Sequence, residues 1–459
     1  MSRIQPSRLV AAEVLAAVRE ADAYANLLLP SRIREARLNS ADAGFATELV
    51  YGTLRMQGFY DRVLELAAKR PVARIDAPVL DALRLGAHQL LTLRTAPHAV
   101  IDESVELVRR ARKASATGFV NGVLRAISRE DADTWRMRAV RGLSGAGRLA
   151  VEFSHPLWVV EALQAALELE GAGEELPALL AADNASPRVA FAALPGLAEP
   201  GPLVESGRYA PGRLSPLALS STGGDPAAQP EVASGVVRVQ DEGSQLAALA
   251  LCRARPITPG ERWLDMCAGP GGKAALLAAE AALGEARLVA NEVVPARAGL
   301  VRSALEPFAD RDDAPDVVVG DGRRFADAAD RFDRILLDAP CTGLGALRRR
   351  PEARWRKSPD DLASLVALQA ELLDAAVAAL APGGLLAYVT CSPHPAETRE
   401  QVEAALARHP RLRTVDTPGV LDGVARAPLG LPSAPSAQLW PHRHGTDAMF
   451  VQLLTTLEG

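Results

Sequence analysis

Two of the four cysteines in this chain stand where a short apolar run gives way to polar residues. Cys341 closes Asp338-Ala339-Pro340-Cys341, and Cys391 sits in Thr390-Cys391-Ser392-Pro393. A thiolate at such a place can attack an electron-poor carbon and later depart. A neighbouring carboxyl group can stabilise the charge that the attack creates. The bland alternative is a pair of small buried hydrophobes, the usual fate of free cysteines. Against it, a doubly wound sheet could set these two strand ends side by side. Cys391 and His394 also make a C-x-x-H, but no second pair follows, so no zinc site is expected.

A second group of chemistry-bearing residues opens the same region. Asp265-Met266-Cys267-Ala268-Gly269-Pro270-Gly271-Gly272-Lys273 follows the apolar run around Trp263 and leads into an Ala/Leu-rich stretch. Glycines there let backbone approach a ligand and turn into a helix. The spacing is neither the G-x-G-x-x-G of dinucleotide folds nor the G-x-x-x-x-G-K-[ST] phosphate loop. Glu292 lies 27 positions after Asp265 and closes the next apolar run, where an acidic residue can accept ribose hydroxyls. Asp321 closes the run after that and is placed to receive an amine such as that of adenine; Asp before Gly is also a common turn.

The elements that must position these groups are short strands alternating with helices. WLDMC, RLVANEV, PDVVVGD, DRILLDAP and LLAYVTCS read as strands, with GGKAALLAAEAA and LASLVALQAELLDAAVAALA as helices between them. That alternation over 236–459 predicts an α/β Rossmann-like, doubly wound domain with its ligands at the carboxyl ends of the strands. Residues 1–130 read differently. RLVAAEVLAAVREA places Leu9, Val10, Val14, Leu15 and Val18 on one face, and five further amphipathic segments come after it, which predicts an all-α bundle of about six helices. Between the two regions, 131–180 reads as a helical connector. The Pro-, Gly- and Ser-rich stretch to 235 reads as a small α/β module or an elaborated linker.

Composition bounds the function. A chain of 459 residues with 48% hydrophobic residues exceeds one ordinary domain, and four scattered cysteines fit a reducing cytoplasm rather than a disulfide framework. The start MSRIQPSRLV has no signal-peptide core, and apolar stretches such as LLDAAVAALA fall short of the roughly 20 residues a membrane helix needs, so no membrane is expected. The net charge is −5, but residues 1–129 hold 19 Lys and Arg against 13 Asp and Glu, a net of +6. A basic first region is compatible with an RNA partner.

Two cysteines and an aspartate meet the demands of methylating carbon 5 of a cytosine. That carbon is a poor nucleophile until a thiolate adds at carbon 6, and afterwards a proton and the thiolate must both leave. LDMCAGPGGK, LLDAPCTGLG and YVTCSPH together resemble the RNA cytosine-5 methyltransferases of the Sun (NSUN) family, and the resemblance extends over about 236–457. VQDEGSQLAAL, Val239 to Leu249, resembles the family's opening motif. LWPHRHGTDAMFVQLL, with His444 and Asp447, resembles its closing strand. AYANLLLP, ATELVYGTLR, PHAVIDESVEL and FVNGVLRAI are similar to the RNA-binding factor NusB. The combination resembles bacterial RsmB/Sun-type enzymes, which act on small-subunit ribosomal RNA.

The resemblance implies S-adenosylmethionine as cofactor and RNA, specifically 16S ribosomal RNA, as partner. It implies Cys391 as nucleophile, Cys341 in product release, and Asp338 against cytosine and cofactor. Cys267, Ala268, Gly269, Pro270, Gly271, Gly272, Lys273, Glu292, Asp321 and Asp338 are then the cofactor site, with Lys273 also near the base or Asp338. The motifs are complete in one chain, so a monomer suffices. Two stretches depart from the family pattern, Ala396-Glu397-Thr398-Arg399-Glu400 and Ala448-Met449-Phe450. Both are expected at the substrate lip, away from the cysteines. The alternatives are a non-catalytic RNA-binding factor, a related enzyme on transfer RNA, and a nicotinamide dehydrogenase, the last disfavoured by the missing G-x-G-x-x-G.

Overall fold

The computed structural model describes residues 4–21 and 24–457, so the first residue of AYANLLLP and the chain ends lie outside the described residues. The chain divides into two compact units. One holds residues 1–164, 174–185 and 347–356; the other holds 165–173, 186–346 and 357–459.

The first unit opens with seven helices: α1 (Pro6–Glu20), α2 (Ala25–Glu35), α3 (Ser40–Arg55), α4 (Gln57–Ala68), α5 (Ala77–Leu91), α6 (Pro97–Arg110) and α7 (Thr117–Ile127). Their apolar faces recur at helix spacing and close on one core, in which Val14, Leu49, Tyr60, Leu83 and Leu124 are buried. Asn39 caps α3 by accepting the amide of Asp42 at 2.9 Å. One helix more than expected forms, α2, which continues through Pro30. Helices α8 (Ala132–Ala139), α9 (Gly145–Glu152), α10 (Leu157–Glu168) and α11 (Leu176–Asn184) occupy the predicted connector.

In the second unit, β1 (Ala190–Ala193), β2 (Tyr209–Pro211), β3 (Ala218–Ser221) and β4 (Val237–Val239) form a four-stranded antiparallel sheet in the order β2-β3-β1-β4. Two short helices, α12 (Pro200–Glu205) and α13 (Pro230–Ala233), complete this small module. The motif after β4 ties the module to the next helix. Asp241 caps α14 (Glu242–Arg253), and Glu242 accepts the backbone amides of Arg213, Leu214 and Ser215. Gln245, fully buried, donates to the carbonyls of Phe191 and Gln240.

The large sheet contains β5 (Arg262–Asp265), β6 (Arg287–Glu292), β7 (Asp316–Val319), β8 (Phe332–Asp338), β9 (Leu380–Thr390), β10 (Leu412–Thr414), β11 (Ala437–Gln438) and β12 (Phe450–Thr456). Its order is β7-β6-β5-β8-β9-β12-β10, with β11 on β12. Strands β5 to β9 run parallel, and β12 returns antiparallel beside β9. Alternate residues serve opposite layers, as a pleated strand requires. Trp263, Leu336 and Val389 join the core with α14, α15 (Gly272–Leu283) and α16 (Pro295–Leu305). Leu264, Leu337 and Tyr388 join the core on the other face. Chain order reverses between β5 and β8, which makes the crevice at their carboxyl ends the place for a ligand.

The chain leaves the sheet's unit for a short stretch after Cys341. Residues 347–356, with the short helix α17 (Ala353–Arg356), belong to the helical unit. There Arg354 is fully buried and donates to the Ser154 carbonyl and to Asn184 Oδ1. One expectation is corrected, and it concerns apolar length. Helix α18 (Pro359–Ala379) has 21 residues and a best-window mean hydropathy of 1.6, long and apolar enough to cross a membrane by length and composition alone. Counting uninterrupted apolar letters overlooked it, because its polar residues are spaced out. It packs on β8 and β9, with Leu372, Leu373 and Ala376 buried in the sheet's core.

Candidate active site

The crevice at the switch point gathers four of the residues singled out from sequence. Asp338 ends β8, and its register partner Val389 lies two residues before Cys391. Parallel pairing of β8 with β9 therefore carries Cys341 and Cys391 to the same place, with their sulfurs 3.4 Å apart. Lys273, in the first turn of α15, reaches across from β5 and donates to Asp338 Oδ2 at 2.7 Å.

The two thiols are unequal. The S–H of Cys341 hydrogen-bonded to Cys391, helped by the charge of Lys273, holds Cys391 below the usual thiol value against burial and the charges of Asp338 and Asp447. The same bond, burial and the charges of Cys391, Glu397 and Asp338 push Cys341 well above it. Burial alone would lower Lys273, but Asp338 outweighs it and keeps the ammonium charged. A depressed thiolate beside a fixed ammonium and a second, protonated thiol is an arrangement for nucleophilic attack.

The glycine loop wraps the end of β6. The Ala268 amide donates to the Asn291 carbonyl at 2.8 Å, and the Gly269 amide donates to Glu292 Oε2 at 3.1 Å. A Cβ at Gly269 would collide with that carboxylate, and Gly271 has φ +102° with Ala304 against it. Pro270 lies after a cis peptide bond, and Gly272 begins α15. Cys267 is half-buried, and burial pushes its thiol far up, so it packs rather than attacks. Glu292 is itself buried and also accepts the Val294 amide at 2.9 Å. Asp321 stands apart. It is partly exposed just past the end of β7, caps the turn over Gly322–Asp327, and pairs with Arg323.

Sequence reasoning missed two groups. Asp265, first residue of the glycine motif, is fully buried. Burial, with Asp338 beside it, pushes its carboxyl up to about 8 against the pull of Lys273. Its place at a strand end ahead of a glycine loop was the available signal. Glu397 is also fully buried. Within the stretch that departs from the family pattern, Glu397 faces inward: it accepts the amide of Thr342, next to Cys341, at 2.8 Å. Ala448 likewise donates its amide to the Gly345 carbonyl under the same loop. His444 is structural, with Nδ1 accepting the Trp440 amide and Nε2 3.0 Å from the Leu429 carbonyl.

S-adenosylmethionine presents a cationic sulfur, an ammonium and two ribose hydroxyls. The crevice suits it. Beside the acidic ends of β5, β6 and β8, Gln240 Oε1, which borders Gly272, and Asn291 Oδ1 are buried without a hydrogen-bond partner among the described residues. Among the described residues, no group of three or more His, Cys, Asp or Glu is arranged to hold a metal ion.

Sheet order, glycine loop and acidic strand ends together define a Rossmann-like methyltransferase domain, joined in one chain to a helical bundle. Residues 255–455 match the family described as 16S rRNA methyltransferase RsmB/F, and residues 5–129 match the NusB family. Ribosomal RNA small subunit methyltransferase B of Pseudomonas putida is 36% identical, over 89% of this chain and 91% of its own. A Mycobacterium tuberculosis protein named as a methyltransferase is 46% identical, over 99% of this chain and 97% of its own. The chain therefore belongs to the RsmB/F methyltransferase family, whose methyl donor is S-adenosylmethionine. Among solved structures, PH0851 superposes with a TM-score of 0.80 over 99% of both chains at 20% identity, a likeness of fold.

Proposed function

We propose that this protein transfers a methyl group to carbon 5 of a cytosine in 16S ribosomal RNA, through a covalent bond from Cys391 to carbon 6. The observation that carries this reading is the pair of sulfurs 3.4 Å apart beside the Lys273–Asp338 ion pair. Bound S-adenosylmethionine supplies an electrophilic methyl group. Cys267 to Lys273, Glu292, Asp321 and Asp338 would hold it; Asp321 and Glu292 must first loosen the bonds they make to Arg323 and to the loop backbone.

The chain's own residues then act in order. Cys391 Sγ bonds to carbon 6, and the carbon 5–carbon 6 π pair moves to carbon 5. Asp338, held by Lys273, accepts a hydrogen bond from the cytosine amino group and orients the ring for that attack. The pair on carbon 5 takes the methyl group. Loss of the carbon 5 proton to a base restores the double bond and expels the Cys391 thiolate. Cys341 assists that release: once Cys391 is a neutral thioether, the like charge that opposed Cys341 ionisation is gone.

Residues 1–130 are assigned to RNA binding, 131–235 to a connector and small RNA-contacting module, and 236–459 to cofactor and chemistry. A monomer acting in the cytoplasm on ribosomal RNA suffices for this scheme. The test is labelled methyl transfer to 16S ribosomal RNA lacking the modification, with Cys391→Ala alongside. Label on a cytosine that is lost in the variant supports the reading. Label on transfer RNA alone contradicts the substrate, and transfer by Cys391→Ala contradicts the nucleophile.

A further inference from the structure

A single carboxylate ties together the two loops that carry the thiols. Glu397 lies six residues after Cys391, in the turn that leads into α19 (Arg399–Arg408). It accepts the Thr342 amide at 2.8 Å, the Thr342 hydroxyl, and Gln369 Nε2 at 3.0 Å. Gln369 also donates to the Pro340 carbonyl at 2.8 Å, so both neighbours of Cys341 are held from the same buried point. Thr342 Oγ1 is 3.0 Å from Ser392 Oγ, and the Gly345 amide donates to the Cys391 carbonyl at 2.8 Å. Tyr388 donates to the Glu397 carbonyl at 2.8 Å and closes the network. Glu397, Gln369, Thr342 and Ser392 are all buried.

A buried acid is costly unless its position is used or fully satisfied. The hydrogen bonds here could have been made by a neutral amide. The negative charge adds an asymmetry instead. Around the sulfur pair stand Lys273 on α15, Asp338 ending β8, Tyr388 on β9, Asp447 before β12, and Glu397. Lys273 is the cation among them and bears on Cys391, whereas Glu397 bears on Cys341. Two thiols this close hold one negative charge between them, and it settles where the surroundings favour it.

We propose that Glu397 is a positioning residue that fixes the Cys341 loop against the Cys391 loop and, by its charge, confines the shared thiolate to Cys391. This rests on the reading of Cys391 as nucleophile, but its test needs no RNA.

The protein, free of substrate, is alkylated briefly with iodoacetamide at pH 7.5, and the two cysteine peptides are quantified by mass. In the wild type, Cys391 takes the label first. Glu397→Gln keeps an oxygen for the Thr342 amide and removes the charge, so the share of label on Cys341 rises by roughly tenfold, about one pKa unit of bias. An unchanged share in a folded Glu397→Gln variant overturns the proposal, since hydrogen bonding alone would then account for the residue. Should that variant not fold, the wild-type order decides: preferential labelling of Cys341 overturns the proposal. If labelling behaves as expected but Cys391→Ala still methylates RNA, the nucleophile assignment falls and the role of Glu397 stands.

Discussion

Lys273 Nζ lies 2.7 Å from Asp338 Oδ2, joining the helix after β5 to the end of β8 across the point where chain order reverses. The pair does two things at once: it fixes the Asp338 carboxylate in the crevice, and it places a positive charge near Cys391. Replacing Lys273 by Met removes the charge that favours the thiolate, so Cys391 moves to a higher pKa. The acidic limb of the pH–rate profile then shifts to higher pH, and the rate at neutral pH falls by about 10- to 100-fold, one to two pKa units. Single-turnover methyl transfer from pH 6 to pH 9 measures this; an unmoved acidic limb contradicts it.

The loop at Gly269 has no room for a side chain. Gly269→Ala sets a methyl group into the Glu292 carboxylate, so the loop must leave the end of β6. The expected result is at least roughly tenfold weaker cofactor binding, about 1.4 kcal/mol. The melting temperature should change far less than for a substitution in the sheet core. Calorimetric titration with S-adenosylmethionine checks this, and wild-type affinity contradicts it.

Asp265 makes stability depend on pH in a stated direction. Its folded-state pKa, about 8, lies above the ordinary carboxylate value, so the folded state holds this proton more tightly. The contribution is fully present below about pH 4 and is lost as pH rises through about 8. Asp265→Asn cannot ionise there. Its melting temperature relative to wild type should therefore rise from pH 5 to pH 8.5, and a constant difference across that range contradicts the assignment.

Much of the site was legible because the chemistry sits at strand ends, and strand ends are marked in sequence. The apolar runs stop at or beside residues that the fold brings to the crevice: Glu292, Asp338, Cys391. Adjacency of β8 and β9 was implied by the alternation of strands and helices, and brought the cysteines together as expected. The illegible part depends on partners distant in the chain. Glu397 reads as one of several charged residues before a helix; only folding brings it to Thr342, 55 residues earlier. Arg354 likewise finds a partner far off in the chain, the Ser154 carbonyl, 200 residues away.

The central claim is a covalent bond between Cys391 and the RNA base, and trapping that bond tests it most directly. Cys341→Ala, incubated with S-adenosylmethionine and 16S ribosomal RNA, should accumulate a protein–RNA complex that survives denaturing electrophoresis. Turnover should fall by roughly two orders of magnitude or more, as for loss of a group that assists proton transfer. Cys341→Ala combined with Cys391→Ala should give no complex. That pattern is the predicted result; a complex that persists without Cys391, or full turnover by Cys341→Ala with no complex, contradicts the account.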